Sequence, residues 1–398
     1  MSQAQQLALA RSRQLSAQDL AISAAREMVV AASQLPDPVL KAGIDNLPVS
    51  GPDRGSFTND FMTMRRIGLM QEITRSDKRH LRVERYERAI DKSQAEKTRT
   101  TLDIKRDTAI AWLDRYYSEQ MLALASEQLS QAMLEIQAAD LAYRSGRGSQ
   151  ADLLVARSAL ALMEDRNSEL ARRARSASIM LTRWTGETSA DSLGELPAMD
   201  QVNLDTNALE STLEHHPQIS IMNRQVELAD TEAKLAEANK KPDWSIEVTY
   251  QQRGPAYSSM MSIGLSLPLQ WDQKNRQQRE LSSRLTMAEQ ARAERDEALR
   301  SHVAEVSSLL NEWQSKRSRV SRYDNEILPL ATQKVRASLA AYRGGKSSLG
   351  DLLAARRNQT DMHLQALQLQ AETASLWAQL RYLTPLNETR LTPDLNRD

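Results

Sequence analysis

The sequence predicts a mainly α-helical fold with a small β part, written twice along the chain. Three observations predict it. Ala142-Tyr-Arg-Ser-Gly-Arg-Gly-Ser-Gln-Ala-Asp-Leu-Leu-Val-Ala-Arg157 and Ala341-Tyr-Arg-Gly-Gly-Lys-Ser-Ser-Leu-Gly-Asp-Leu-Leu-Ala-Ala-Arg356 agree at ten of sixteen positions, at an offset of 199 residues in a chain of 398. A self-similarity of that length marks an internal two-fold repeat. Proline is absent between Pro52 and Pro197, which leaves room for very long helices. Residues 39–74 and 244–269 break the helical pattern with turn signals and apolar–polar alternation, the period of strands.

Residues 1–200 form the first repeat. A helical spacing over about 5–34 ends at Pro36-Asp-Pro38, because proline cannot continue the hydrogen-bond ladder. A β-hairpin follows over 39–74, its strands at 39–48 and 61–74 separated by Ser50-Gly-Pro-Asp-Arg-Gly-Ser56. The long helix 77–143 is on the order of 100 Å at 1.5 Å per residue. Near its end Leu122, Ala125, Leu129, Ala132, Ile136, Ala139 and Tyr143 step by three and four. That is a heptad seam in which large and small residues take turns, so a partner helix can approach closely. The return helix 149–185 continues the seam with Leu153, Ala156, Leu160, Met163, Asn167, Leu170, Ala174, Ala177, Leu181 and Trp184, and stops at Thr185-Gly186. Residues 187–205 link the halves.

Residues 201–398 repeat the order within what is expected to be one domain. A helix over 208–240 is broken near His215-His216-Pro217 and ends at Lys241-Pro-Asp243. The hairpin 244–269 alternates Trp244, Ile246, Val248, Tyr250 and then Met261, Ile263, Leu265, Leu267, Leu269 with polar or small neighbours. The long helix 274–342 contains Pro329, a candidate kink. The return helix 348–384 carries Leu352, Ala355, Met362, Ala366, Leu369, Leu376, Leu380 and Leu383. At each reversal Gly tolerates the left-handed backbone that ends a helix, and Ser149 or Ser348 can cap the next one with Asp152 or Asp351 three residues on. Each copy therefore reads as the tip of a helical hairpin.

Composition narrows the function. With 52 basic and 52 acidic residues the net charge is zero, which argues against a broad nucleic-acid-binding face. Mean hydropathy is −0.56, and no apolar run reaches the eighteen residues of a membrane-spanning helix. The absence of Cys removes disulfides and thiolate chemistry. No phosphate loop, zinc signature or nucleophile elbow is present, so no catalytic residue, metal site or cofactor is assigned and the chain reads as a non-enzyme. Met1–Leu20 lacks the apolar stretch of a signal peptide, an expectation of either a cytosolic chain or a leader already removed.

The strands carry the sharpest inference. Two lone hairpins are marginal in water, and strands of nine or ten residues with one apolar face suit a membrane barrel. Four strands cannot close one. An open edge in lipid would cost several kcal/mol per unpaired backbone group. Either the strands lie outside a membrane, or several chains pool them; three chains would supply twelve.

The order helix, Pro-Asp stop, hairpin, long helix, Tyr-x-x-Gly-x-x-Ser tip and return helix, twice over, resembles the TolC family of outer-membrane efflux proteins. The likeness covers essentially the whole chain, including Ile327-Leu-Pro329 before the second tip. Asp45-Asn-Leu-Pro48 followed by Phe61-Met-Thr-Met-Arg-Arg-Ile-Gly-Leu-Met-Gln-Glu72 resembles the heavy-metal, CzcC-like branch. The resemblance implies a homotrimer with long helical hairpins forming an α-barrel in the periplasm and a 12-stranded β-barrel in outer-membrane lipid. It implies docking through the hairpin tips onto a periplasmic adaptor (membrane fusion) protein, and coupling to an inner-membrane pump of the resistance-nodulation-division (RND) type. The cargo would be heavy-metal cations, with drugs or other small molecules as the alternative. A cytosolic helical-hairpin scaffold is the reading outside the family.

On this basis the adaptor-docking residues are Arg144, Gly146, Arg147, Ser149, Asp152, Arg343, Gly345, Lys346, Ser348 and Asp351. The lipid-facing residues are Trp244, Ile246, Val248, Tyr250, Ile263, Leu265 and Leu267. Lys41, Asp45, Arg65 and Arg66 fit a lipid face poorly and are expected at the lumen, the rim or in water. Of the five histidines, the adjacent His215 and His216 read as a loop pair, since neighbours in sequence rarely converge on one ion without a third ligand. Met62, Met64, Met70, Met260 and Met261 read as packing residues.

Overall fold

The computed structural model describes residues 1–146, 149–186, 193–202 and 209–383. Helices α1 (Ser2–Arg11) and α2 (Arg13–Ser33) precede strands β1 (Val39–Asp45) and β2 (Met64–Ile73), and α3 (Ser76–Arg144) and α4 (Gln150–Thr185) complete the first half. The second half holds α5 (Leu209–Leu213), α6 (Pro217–Ala238), β3 (Trp244–Gln252), β4 (Met260–Ser266), α7 (Gln277–Arg322), a π-helical turn (Tyr323–Ile327), α8 (Leu328–Arg343) and α9 (Leu349–Arg381).

Three boundaries depart from expectation. The helix over 5–34 is two helices: Ser12 leaves the helical region at ψ 115°, and its hydroxyl accepts the Leu15 amide at 3.3 Å to start the next helix. The kink at Pro329 is built as a π turn immediately before it. Proline lacks an amide hydrogen and its ring crowds the carbonyl four residues back; the wider i→i+5 turn absorbs that conflict without ending the helical run. The last strand ends at Ser266, ahead of Leu267 and Pro268, because Pro268 has no hydrogen to give a ladder.

The chain forms two compact units, each drawing on both halves of the sequence. One holds residues 1–16, 98–217 and 299 onward, the other 17–97 and 218–298. In the second unit all four strands join one antiparallel sheet in the order β1-β2-β3-β4. Its helices meet through small residues, with Val226 and Ala229 of α6 against Ala288 and Ala291 of α7. Ion pairs flank that seam: Arg284–Glu232 at 2.7 Å and Arg292–Asp230 at 2.6 Å. Lys78, almost fully buried, is held by Asp243 at 2.9 Å. The Lys241-Pro-Asp243 stop thus also supplies the counter-ion for the start of α3.

In the first unit the core joins Trp112, Leu113, Tyr117 and Met121 of α3 to Leu181, Leu213, Val306, Trp313 and Trp377 from α4, α5, α7 and α9. Trp112 and Tyr116 stack at 5.7 Å. The small members of the heptad seams are buried: Ala125, Ala132, Ala139, Ala156, Ala174 and Ala177 are all less than 8 % exposed, and the large members Leu153 and Leu181 are buried with them. Ser126 donates across the seam to Asn167 at 3.0 Å.

His216 and His302 lie together in this unit, ring centroids 4.1 Å apart. Burial, helped by the neighbouring His302 and Arg99, pushes the His216 pKa down from 6.5 to about 3. The unfolded chain therefore takes a proton at this position near pH 6.5, whereas the folded chain refuses it until about pH 3. The stabilising difference is complete above pH 6.5 and is lost as pH falls through that window. Thermal melts from neutral to acid pH should show the wild type losing stability faster than His216→Gln. Parallel profiles would mean that this histidine titrates as it does in the unfolded chain.

Candidate functional site

Two surfaces concentrate the residues singled out in the sequence. The first is the sheet. β1 pairs with β2, β2 with β3 and β3 with β4, and register sorts the side chains by face. One face carries Leu40, Ala42 and Ile44 of β1, Ile67 and Leu69 of β2, Ile246, Val248 and Tyr250 of β3, and Met261, Ile263 and Leu265 of β4. These apolar side chains are exposed: Ile263 is 73 % exposed, Leu265 72 % and Met261 71 %. Trp244, opposite Ile73, extends the same face at one end, and Leu267 just past β4 is exposed. Six of the seven residues first singled out for this surface share this face of the sheet, and Leu267 lies one residue past the strand.

The opposite face is polar. It carries Lys41, Gly43 and Asp45, then Arg66 and Gly68, then Glu247 and Thr249, then Ser262 and Gly264. Lys41 reaches Glu247 at 2.7 Å, across the intervening β2, and Arg66 lies 3.5 Å from Asp45. Lys41 stands opposite Gly68, and Glu247 opposite Gly264. Glycine is required at Gly68, where an added Cβ would come within 2.6 Å of the Thr249 hydroxyl. The repeated Ile-Gly-Leu triplets are explained by this arrangement: two apolar residues on one face, and between them a gap on the other for a long charged side chain. Three of the four charges that fitted poorly with lipid, Lys41, Asp45 and Arg66, are on this polar face. Arg65 shares the parity of Ile67 and Leu69 but sits near the end of the sheet, opposite Ile44 and Gln252.

Asn46 follows β1 with φ 57°, the left-handed region that Asn tolerates better than most residues. Its carbonyl accepts from the Thr63 hydroxyl at 3.0 Å and its side chain donates to the Met62 carbonyl at 3.3 Å. The Asp45-Asn-Leu-Pro48 stretch is thus a turn out of β1, a structural role that needs no ligand.

The second surface is the pair of hairpin tips. Gly345 has φ 70°, its amide donating to the Tyr342 carbonyl and the Lys346 amide to the Ala341 carbonyl. This is the Schellman termination of a helix. Gly146 has φ 72° with its amide on the Tyr143 carbonyl. Ser348 caps α9 in a full capping box: its hydroxyl accepts the Asp351 amide at 3.1 Å, and Asp351 accepts the Ser348 amide at 3.0 Å. Hydrogen bonds from the Ser348 side chain, its backbone and Ser347 hold the Asp351 carboxyl below its ordinary pKa. Arg144 pairs with Asp140 at 2.7 Å, and Ser149 stands immediately before α4. Arg147 and the side chain of Asp152 lie outside the described residues. Arg343 is in the last turn of α8 and Lys346 just beyond it, both exposed.

Behind the tips Leu153 and Ala156 pack with Leu349, Leu352 and Leu353, bringing the two copies of the repeated motif together. Beside this cluster Arg356 pairs with Glu135 at 2.5 Å, where burial raises the carboxyl pKa against the pull of the arginine. Glu135–Arg356 escaped the sequence reading because, although Arg356 closes the second copy of the repeated motif, its partner Glu135 lies in no motif and far away in sequence.

Among the described residues no three His, Asp or Glu side chains converge in a way that could hold a metal, and no described helix is long and apolar enough to cross a membrane.

Comparison with known proteins fits these surfaces. The profile described as outer membrane efflux protein matches twice, over residues 4–187 and 208–384. No curated protein sequence matches the chain. Among solved structures, the outer-membrane channel OprN is similar at a TM-score of 0.79 and 17 % identity, over 96 % of this chain and 89 % of that one. The outer membrane protein VceC of Vibrio cholerae gives 0.77 and 16 %, over 96 % and 95 %. The CmeC outer membrane channel of Campylobacter jejuni gives 0.80 and 14 %, over 96 % and 84 %. The two-fold match spans both repeats, and with it the sheet and both tips: the chain belongs to the outer membrane efflux protein family, whose members are transport ducts and not enzymes.

Proposed function

We propose that this chain is the exit duct of a tripartite efflux system, a homotrimer whose strands share a 12-stranded barrel in outer-membrane lipid. The sheet carries this reading: one face exposes a broad apolar surface, the other bears paired charges, and among the described residues each outer strand pairs with one strand only. The apolar face would meet lipid and the charged face the water-filled lumen. The hairpin tips, with Gly146, Gly345, Arg343 and Lys346 exposed at the reversals, would dock onto a periplasmic adaptor that receives cargo from an inner-membrane RND pump. Transport through such a duct is passive.

Heavy-metal cations are the proposed cargo. The support is the resemblance of residues 45–48 and 61–72 to the metal branch, weighed against the turn role that Asn46 already has. A drug-exporting duct with the same fold is the alternative. Co-expression with a metal-exporting pump and adaptor in a strain lacking its own duct separates them. Restored tolerance to zinc, cobalt or cadmium is the expected result, and restored tolerance to dyes or antibiotics alone would overturn the metal assignment. In the same strain Gly146→Pro with Gly345→Pro should abolish the tolerance while the trimer persists; full tolerance would remove the tips from the docking role.

The lipid face has its own test. Ile263→Lys should cost about 2–4 kcal/mol if the position faces mid-membrane, read as a lowered temperature at which the trimer dissociates in detergent. Ser262→Lys, on the charged face, should leave that temperature nearly unchanged. Equal effects at the two positions would contradict the assignment of faces.

A further inference from the structure

We propose that the segment after β4, residues 267–276, is a binding site for anionic phospholipid headgroups. Trp271 is seated where acyl chains give way to headgroups, and Lys274 and Arg276 are on the phosphate. This rests on the reading of the sheet as a lipid-embedded barrel, and adds the residues by which that barrel holds the edge of the bilayer.

Exposure, anchoring and position carry it together. Trp271 is 89 % exposed, more than any other large apolar side chain among the described residues, and Leu267 and Leu269 before it are exposed too. Tryptophan is normally withdrawn from water, since its indole is large and mostly apolar. The backbone beneath it is anchored. Gln270 Nε2 donates to the Asn239 carbonyl at 3.2 Å and Gln273 Nε2 to the Lys240 carbonyl at 3.1 Å, just past the end of α6. Trp271 lies between these two anchors, and its amide donates to the Leu269 carbonyl at 3.1 Å. The indole is therefore held outward from a fixed base and is not the tip of a loose tether.

Position and charge name the partner. Ser266, the last residue of β4, pairs with Ser245, so the segment begins level with Trp244 on the apolar face. Both exposed tryptophans thus stand at the end of the sheet where the helices begin. Tryptophan is enriched where hydrocarbon meets headgroups, because its ring is apolar and its N–H needs a polar partner. Lys274 and Arg276 follow within five residues, both exposed, and Lys241 is exposed beside the Lys240 anchor. Asp272 is the one acid of the segment, and its carboxylate accepts the Asn275 amide at 3.3 Å and side chain at 2.9 Å. Basic side chains beside a bilayer attract anionic headgroups, and their long stems reach phosphate while apolar neighbours sit deeper. The competing use of Trp271 is a contact with the next copy of the chain.

The test uses the full-length chain reconstituted into phosphatidylcholine bilayers containing phosphatidylglycerol, with one of the two lipids at a time brominated in the upper part of its acyl chains. Bromine quenches a tryptophan only in contact with the lipid. The Trp271 component is the difference between wild type and Trp271→Phe, and Trp244→Phe isolates the sheet in the same way. Size-exclusion chromatography checks that each variant keeps the wild-type assembly. At equal mole fraction, phosphatidylglycerol should win the Trp271 contact over phosphatidylcholine by on the order of fivefold for each cation engaged. Lys274→Gln with Arg276→Gln should abolish that preference and leave the quenching by phosphatidylcholine in place. Equal quenching by the two lipids, unchanged in the double variant, would overturn the headgroup assignment. A Trp271 component that neither lipid quenches, beside a quenched Trp244, would overturn the site and leave the barrel standing. Quenching of neither tryptophan would overturn the barrel reading with it.

Discussion

Backbone hydrogen bonding at the two edges of the sheet is the constraint on which the rest depends. Among the described residues β1 pairs with β2 alone and β4 with β3 alone, so each outer strand presents a row of amide and carbonyl groups on its far side. In water such edges invite aggregation; in lipid each unsatisfied group costs several kcal/mol. The exposed apolar face makes water an unfavourable home for the sheet, and the open edges make lipid unfavourable for a single copy. In the proposed trimer, pairing of β1 from one copy with β4 of the next would relieve both. The two strands are antiparallel within the sheet, as a closed up-and-down barrel needs. In that proposed barrel the ion pairs Lys41–Glu247 and Arg66–Asp45 would fall on the lumen side, where their charges need no burial.

The helices meet a different demand. Long amphipathic helices in close pairs need small side chains wherever the axes approach, and the alanines of the seams are buried. At the reversals the backbone needs a left-handed residue followed by a cap, and Gly345, Ser348 and Asp351 supply both. The motif conserved between the two halves is therefore accounted for largely by turn-making. The exposed side chains of Arg343 and Lys346 take no part in the turn's hydrogen bonds, and they are the part of the motif proposed for adaptor docking.

Most of the fold was legible because its signals are local. Alternation along residues 244–250, the heptad steps of α3 and α4, and the Gly and Ser of the tips each lie within one element. What stayed hidden depends on partners far apart in sequence. Periodicity shows two hairpins; it cannot show that β2 and β3, joined through α3 to α6, pair into one sheet. The break at Ser12 has no Pro or Gly to announce it. The π turn before Pro329 is a choice among ways of tolerating a proline that the sequence leaves equal. His216 looked like half of a loop pair with His215, and its actual neighbour, His302, comes from another helix.

Single-particle imaging of the detergent-solubilised chain tests the sheet-sharing claim most directly. The expected result is a three-fold hollow assembly with twelve strands closed into one barrel, β1 of each copy beside β4 of the next, joined to a helical tube about 100 Å long. A detergent-independent monomer, or an assembly in which the β1 and β4 edges remain unpaired, would contradict it.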